Sequence, residues 1–324
     1  MPAETLGHPV FELMRDRRKE GSKPWNRTDG QKLGIVVEGG SLRAVASAAT
    51  LVQLYTMGYR DSVDAVYGES VGVCNGAVFI SGQIPEAIRT YWELVNNYLF
   101  FNPFRFWKMV DTDFFLDQVE RHYSFDFLAF QDAGIKLGVM AARVNKPKTP
   151  DESYPLVMFS DFEDKADLIG SLKGAIQMPF FCGGPYQYKN MKLWDGGIID
   201  KFPVKAAIED GCTHILAALA SPIDHVPKDL NPLEKYASMA YLAMFNPEIA
   251  SYYSGVRKRF RQTMEFLREK QTTRDKPPYI ASLGLPEGPK ILSTFELNEK
   301  VLIDMADRAG EVVRKLFEQF DIYN

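Results

Sequence analysis

The sequence predicts an α/β fold with a mostly parallel central sheet and helices on both of its faces. Between about residues 33 and 220, short apolar, β-branched runs alternate with segments of helical periodicity. Glycine-rich turns stand where runs hand over to helices, as at Gly39-Gly40-Ser41 and Gly68-Glu69-Ser70-Val71-Gly72. Strands separated by helices pair in parallel, because a crossover helix returns the chain to the same end of the sheet. The 324 residues, 46% hydrophobic and 25% charged, suffice for one large domain with a sizeable core.

The elements follow in order. Residues 1–32 read as an irregular or partly helical lead-in. Leu33 to Glu38 is an apolar strand, and Leu42 to Met57 a helix with Val45, Ala48, Ala49, Val52 and Tyr55 at helical spacing and Gly58 just past its end. Val63 to Tyr67 is a short strand, and Val73 to about Ser81 a buried helix. Residues 83–130 read as helical and aromatic-rich, with Pro103 as a break. Strands are expected at Lys136–Arg143 and Tyr154–Phe159, a helix over 165–178, and a short hairpin from Tyr186 to Trp194. A helix over 203–210 and a buried strand from Thr213 to Ala220 come next. From Leu230 onward the pattern is helical, interrupted by a Pro/Gly-rich loop at 276–289.

A net charge of −4 offers nothing to a nucleic-acid partner. Cys74, Cys182 and Cys212 form no metal-spaced cluster and no even disulfide framework, which predicts buried, reduced thiols in a reducing compartment. Residues 1–32 lack the apolar core of a signal peptide, and no apolar run reaches the length of a spanning helix. The expectation is a cytoplasmic protein, with peripheral membrane contact left open.

Three motifs carry chemistry. Gly68-Glu69-Ser70-Val71-Gly72 is a Gly-x-Ser-x-Gly between a strand and a small-residue helix. The bare pattern is weak, but this context is that of the elbow that presents a serine hydroxyl on a strained turn. A Cβ at either flanking glycine would meet the adjoining strand or helix, and the helix N-terminus favours developing negative charge. Glu38-Gly39-Gly40-Ser41-Leu42-Arg43 places backbone N–H groups where they can form an oxyanion hole. A phosphate-cradling loop or a plain turn is the alternative. Neither a Gly-x-Gly-x-x-Gly fingerprint nor a P-loop lysine is present there. Trp194-Asp195-Gly196-Gly197 sets an aspartate before two glycines that permit close backbone approach and positive φ. Alone it reads as a hairpin turn.

In this order the three motifs resemble the patatin-like phospholipases, most closely the bacterial type, from about Leu33 to Ala220 and more weakly beyond. Further landmarks are Ser171 to Ala175 with Met178-Pro179, and the run Ile198 to Pro203. The resemblance implies a three-layer α/β/α fold with a helical C-terminal extension. It divides the chain into a lead-in (1–32), a catalytic domain (33–225) and a mainly helical region (226–324) packed on the same domain. It implies a Ser–Asp dyad with Ser70 as nucleophile and Asp195 as base, the N–H groups of Gly39, Gly40 and Ser41 holding the oxyanion, and Arg43 supporting that loop. Gly68, Gly72, Gly196 and Gly197 are the associated glycines. The substrate implied is an acyl lipid or other ester, cleaved through an acyl-serine with no metal or organic cofactor. The family loop has three glycines and another after the basic residue, where this chain has Ser41 and Ala44. If position 41 needs positive φ, serine there costs about 1 kcal/mol or more. A catalytically weak lipid-binding or regulatory protein is therefore one alternative.

A Ser-Asp-His triad is the other, since Ser70, Asp195 and His225 follow the hydrolase order; the remaining histidines are His8, His122 and His214. Of the aromatics between Tyr91 and Phe115, most are expected in the core and some at the site. The basic stretch Arg257, Lys258, Arg259, Arg261 and Arg268 is expected to be a solvated helix face, because Glu265 and Glu269 interleave it.

Overall fold

The computed structural model describes residues 7–225, 230–286, 293 and 295–322. Residues 1–6 of the lead-in, 226–229 at the start of the C-terminal region and 287–289 of the Pro/Gly-rich loop lie outside the described residues. The strands are β1 (Leu33–Val37), β2 (Ala65–Glu69), β3 (Lys136–Arg143), β4 (Leu156–Phe159), β5 (Tyr186–Tyr188), β6 (Met191–Asp195), β7 (His214–Ala218) and β8 (Tyr279–Leu283). The helices are α1 (Pro9–Glu20), α2 (Val45–Thr56), α3 (Val71–Ile80), α4 (Ile84–Ala87), α5 (Thr90–Glu93), α6 (Thr112–Tyr123), α7 (Phe127–Asp132), α8 (Lys165–Ala175), α9 (Val204–Glu209), α10 (Pro232–Phe245), α11 (Pro247–Ser254), α12 (Val256–Lys270) and α13 (Glu299–Ile322).

One sheet runs β5-β6-β3-β2-β1-β7-β8, with β4 also beside β3. The five strands from β3 to β8 are parallel; β4 and β6 run antiparallel to β3, and β5 antiparallel to β6. Alternation along each strand divides the core. Leu33, Ile35 and Val37 of β1, with Leu216 and Ala218 of β7, face the layer that holds α2, α3, α8 and α13. Val36, Ile215 and Ala217 face the opposite layer, against Val204 of α9 and Phe260, Met264 and Leu267 of α12. This is a three-layer α/β/α arrangement, and near-continuous apolar strands follow from burial on both faces.

Two segments differ from expectation. β8 lies inside the predicted loop, because Tyr279–Leu283 adds parallel to β7 and buries Ile280, Ala281 and Leu283 despite the flanking prolines. Residues 94–111 are not helical; Asn97 Oδ1 accepts from the N–H groups of Leu99 and Phe100, Asn102 Oδ1 accepts from Phe104, and such local bonds compete with a helix. The lead-in is helical in part, as its reading allowed: it contains α1, whose Val10, Phe11 and Met14 are fully buried. Arg17 pins α1 down. It is 1% exposed, and its guanidinium donates to both oxygens of Asp29, to Asp64 and to the carbonyls of Ser62 and Gln31. Charge-assisted bonds at every donor are what make a buried arginine tolerable.

Candidate active site

The register of β3 builds the site. Along one edge its Met140 pairs with Glu69 of β2, and the next residue, Ala141, pairs with Asp195 of β6. β4 covers Val139 to Ala142 on the other edge, so β2 and β6 share an edge and meet end to end. The residue after Glu69 is Ser70. Two stretches more than a hundred residues apart in sequence thus bring Ser70 and Asp195 together, and the Ser70 hydroxyl acts on the Asp195 carboxyl, favouring its charged form.

Ser70 sits at φ 52°, ψ −148°, an unfavourable conformation for a residue with a side chain, and α3 begins immediately after it. The turn is as tight as expected. A Cβ on Gly72 would lie 2.5 Å from the Val37 carbonyl oxygen and one on Gly68 2.7 Å from the Val73 nitrogen. Gly196 and Gly197 differ from expectation, since neither has positive φ; close approach is what they permit, with a Cβ on Gly196 meeting the Met140 carbonyl oxygen at 2.8 Å. The Gly197 N–H donates to Asp195 Oδ1 at 2.8 Å.

In the glycine-rich loop, Gly40 is at φ 132° and Ser41 at φ 53°, so position 41 does require the left-handed backbone. The Gly39 N–H donates to Glu69 Oε1 at 3.2 Å. Among the described residues the N–H groups of Gly40 and Ser41 take no protein acceptor, whereas that of Gly39 is already taken. Arg43 packs its guanidinium beneath Gly40, 3.1 Å from where a Cβ would stand, and lies 3.8 Å from Glu38 Oε1. His225 is not brought to Asp195: among the described residues no hydrogen bond joins its ring to Asp195 or Ser70, and the charge acting on it is that of Arg43.

Sequence reasoning assigned no role to the buried charges behind the pair. Burial pushes Asp195 above the usual carboxylate range, opposed by the Ser70 hydroxyl, the Gly197 N–H, Lys201 and Glu69. Burial raises Glu38, whose Oε2 accepts the Ala220 N–H at 2.7 Å. Burial pushes Lys201 down, against the pull of the Glu69 carboxyl. The available signal was a carboxyl at the end of each fully buried strand beside a glycine turn, in Val37-Glu38-Gly39 and Gly68-Glu69-Ser70.

Above Ser70 lies a narrow cavity of about 40 Å³ lined by Ser41, Leu42, Tyr91, Phe100, Phe115 and Met178 among others. Tyr91 and Phe115 also wall a second apolar cavity of about 50 Å³ that runs toward Val119 and Phe125. Tyr91, Trp92, Phe100, Phe101, Phe114 and Phe115 pack in or against the core as expected. Tyr98, Phe104, Phe106 and Trp107 do not, being 66–80% exposed.

A family model described as patatin-like phospholipase matches residues 35–208, more than half of the chain. The chain belongs to the patatin-like phospholipase family. Membership supports lipid acyl hydrolysis as its class of activity and lipid esters as its class of substrate. No curated protein matches the sequence. The patatin-like match spans both halves of the site, from the loop at Gly39 to Gly197, and ends before β7 and β8. Among the described residues no helix is long and apolar enough to cross a membrane.

Proposed function

We propose that the chain is a carboxylic ester hydrolase of acyl lipids, working through a Ser70–Asp195 dyad. Ser70 Oγ attacks the acyl carbonyl while its proton passes to Asp195. The Gly40 and Ser41 N–H groups and the start of α3 stabilise the oxyanion. Collapse breaks the ester bond, the departing alcohol takes the proton from Asp195, and water then attacks the acyl-serine with Asp195 again as base. The observation that carries this reading is the meeting of Ser70 and Asp195 at the β2–β6 junction beneath an apolar cavity. The cavity has room for a few waters, so an acyl chain enters by displacing the side chains that line it.

The irregular segment 94–111 extends the reading to lipid surfaces. Its inner residues Phe100 and Val110 line the Ser70 cavity, while Leu99, Phe104, Phe106 and Trp107 point outward. Aromatic groups suit a boundary between headgroups and acyl chains.

The test is hydrolysis of a short p-nitrophenyl ester by wild type, Ser70→Ala, Asp195→Asn and His225→Ala. The dyad predicts losses of about 10³-fold or more for the first two variants and less than about threefold for the third. A large loss in His225→Ala alone turns the reading to the triad. A wild type no faster than Ser70→Ala, and unlabelled by a fluorophosphonate, turns it to the lipid-binding protein that Ser41 and Ala44 suggest.

A further inference from the structure

Glu69 immediately precedes Ser70 and is as inaccessible as Asp195, at 5% and 3% exposure. Its Oε1 accepts the Gly39 N–H. Its Oε2 turns toward Asp195: a Cβ on Gly197 would lie 2.9 Å from Glu69 Oε2 and 3.1 Å from Asp195 Oδ1. The two carboxyls thus flank Gly197 and act on each other: the Asp195 charge raises Glu69, and Glu69 in turn favours the charged form of Asp195. Two carboxyls buried side by side do not both ionise, so the pair holds one proton. The Gly197 N–H reaches Asp195 at 2.8 Å and the Gly39 N–H reaches Glu69 at 3.2 Å, and the Ser70 hydroxyl also favours the charged form of Asp195, so the charge is better held on Asp195.

We propose that Glu69 holds this proton and donates it as a hydrogen bond to Asp195, a positioning residue that keeps the base ionised and aimed at Ser70. The proposal rests on the dyad reading. Burial and the adjacent Asp195 charge hold Glu69 well above the usual carboxylate range. Lys201 and Glu38 also face Glu69; Lys201, Cys74 and Cys182 face Asp195; Arg43 and Arg257 face Lys201. On attack the Ser70 proton moves to Asp195, so the pair briefly holds two protons while the oxyanion carries the charge. At high pH Glu69 loses its proton, and two buried negative charges then oppose that oxyanion.

The experiment is kcat/KM against pH for short-ester hydrolysis by the full chain, as wild type, Glu69→Gln and Glu69→Leu. Wild type should be bell-shaped, because the pair must hold one proton. Glu69→Gln, a permanently neutral donor, should lose the alkaline limb and keep the acid limb. Glu69→Leu should move the acid limb up by about one pH unit or more and lower kcat about tenfold with little change in KM, since Asp195 loses a donor. An acid limb that moves down by a unit in Glu69→Gln means that Glu69 is ionised in the wild type and overturns the proposal. So does a wild-type profile in Glu69→Leu. Infrared spectroscopy reads the proton without turnover: a protonated-carboxyl band at neutral pH should vanish in Glu69→Gln and persist in Ser70→Ala, and its absence from wild type overturns the proposal. Wild-type rates in Ser70→Ala and Asp195→Asn would instead refute the dyad, while the band would still report the shared proton.

Discussion

Ser41 and Gly40 occupy neighbouring positions with opposite tolerance. Both have positive φ, yet only one is glycine. Ser41→Gly removes a steric penalty of about 1 kcal/mol, partly offset by the greater entropy that glycine loses on folding. We expect a stability gain of up to about 1 kcal/mol in urea unfolding, with ester hydrolysis equal to or above wild type. A destabilised Ser41→Gly would mean that the serine side chain contributes more than its backbone strain costs. The same scale accounts for the thiols. Cys74 and Cys182 are buried and pushed up to about 12, and burial is the main cause, with the Asp195 charge also acting on both. They stay protonated and unreactive beside the site.

Among elements, segment 94–111 is the clearest departure from periodic structure, held by the bridge between Phe101 and Val110 and by stacking of Phe101 on Phe295. If its exposed aromatics meet lipid, Phe104→Ser with Phe106→Ser and Trp107→Ser should cut co-sedimentation with phosphatidylcholine–phosphatidylglycerol vesicles about tenfold or more. Turnover of a soluble short ester should stay within about threefold of wild type. Undiminished vesicle binding would rule this segment out as the contact. α12 shows why a basic stretch is a poor guide by itself. Val256, Phe260, Met264 and Leu267 are buried as their spacing requires. Arg259, however, spends its donors on the Ile199 and Tyr252 carbonyls, and Arg268 donates to the Ile223 carbonyl and pairs with Asp224. These two arginines tie α11 and the chain at Ile199 and Ile223 to the helix instead of forming a solvated face.

Across the whole molecule, two histidines link stability to pH. His8 caps α1 by accepting the Val10 N–H, and His214 opens β7. Burial pushes each down to about 4, helped by the charge of Arg274 at His8 and of Arg17 at His214. An unfolded histidine titrates near 6.5, so between about pH 6.5 and 4 the unfolded chain binds more protons and stability falls as pH falls. Glu38, Glu69 and Asp195 act oppositely, because burial raises them and their protonation relieves the folded state. The difference between wild type and a His8→Asn, His214→Asn pair isolates the histidines. The pair should lose less stability than wild type between pH 7 and 4.5 in urea unfolding, by about 2 kcal/mol or more. Parallel curves would refute this assignment.

What the sequence determined by itself was what local chemistry encodes. Apolar, β-branched runs bounded by glycine marked the boundaries of β1 and β3 to within a residue, and the three motifs named Ser70 and Asp195 before any geometry was known. The position of β8 was hidden, because a five-residue strand among prolines and glycines carries too little pattern, and only a free edge on β7 makes it a strand. The meeting of Ser70 and Asp195, the hold of Glu69 on the Gly39 N–H and the place of Arg17 were likewise decided only in the tertiary structure. Each depends on two distant segments meeting along one edge or in one buried volume, and pairing at that range has no periodicity in the sequence to reveal it.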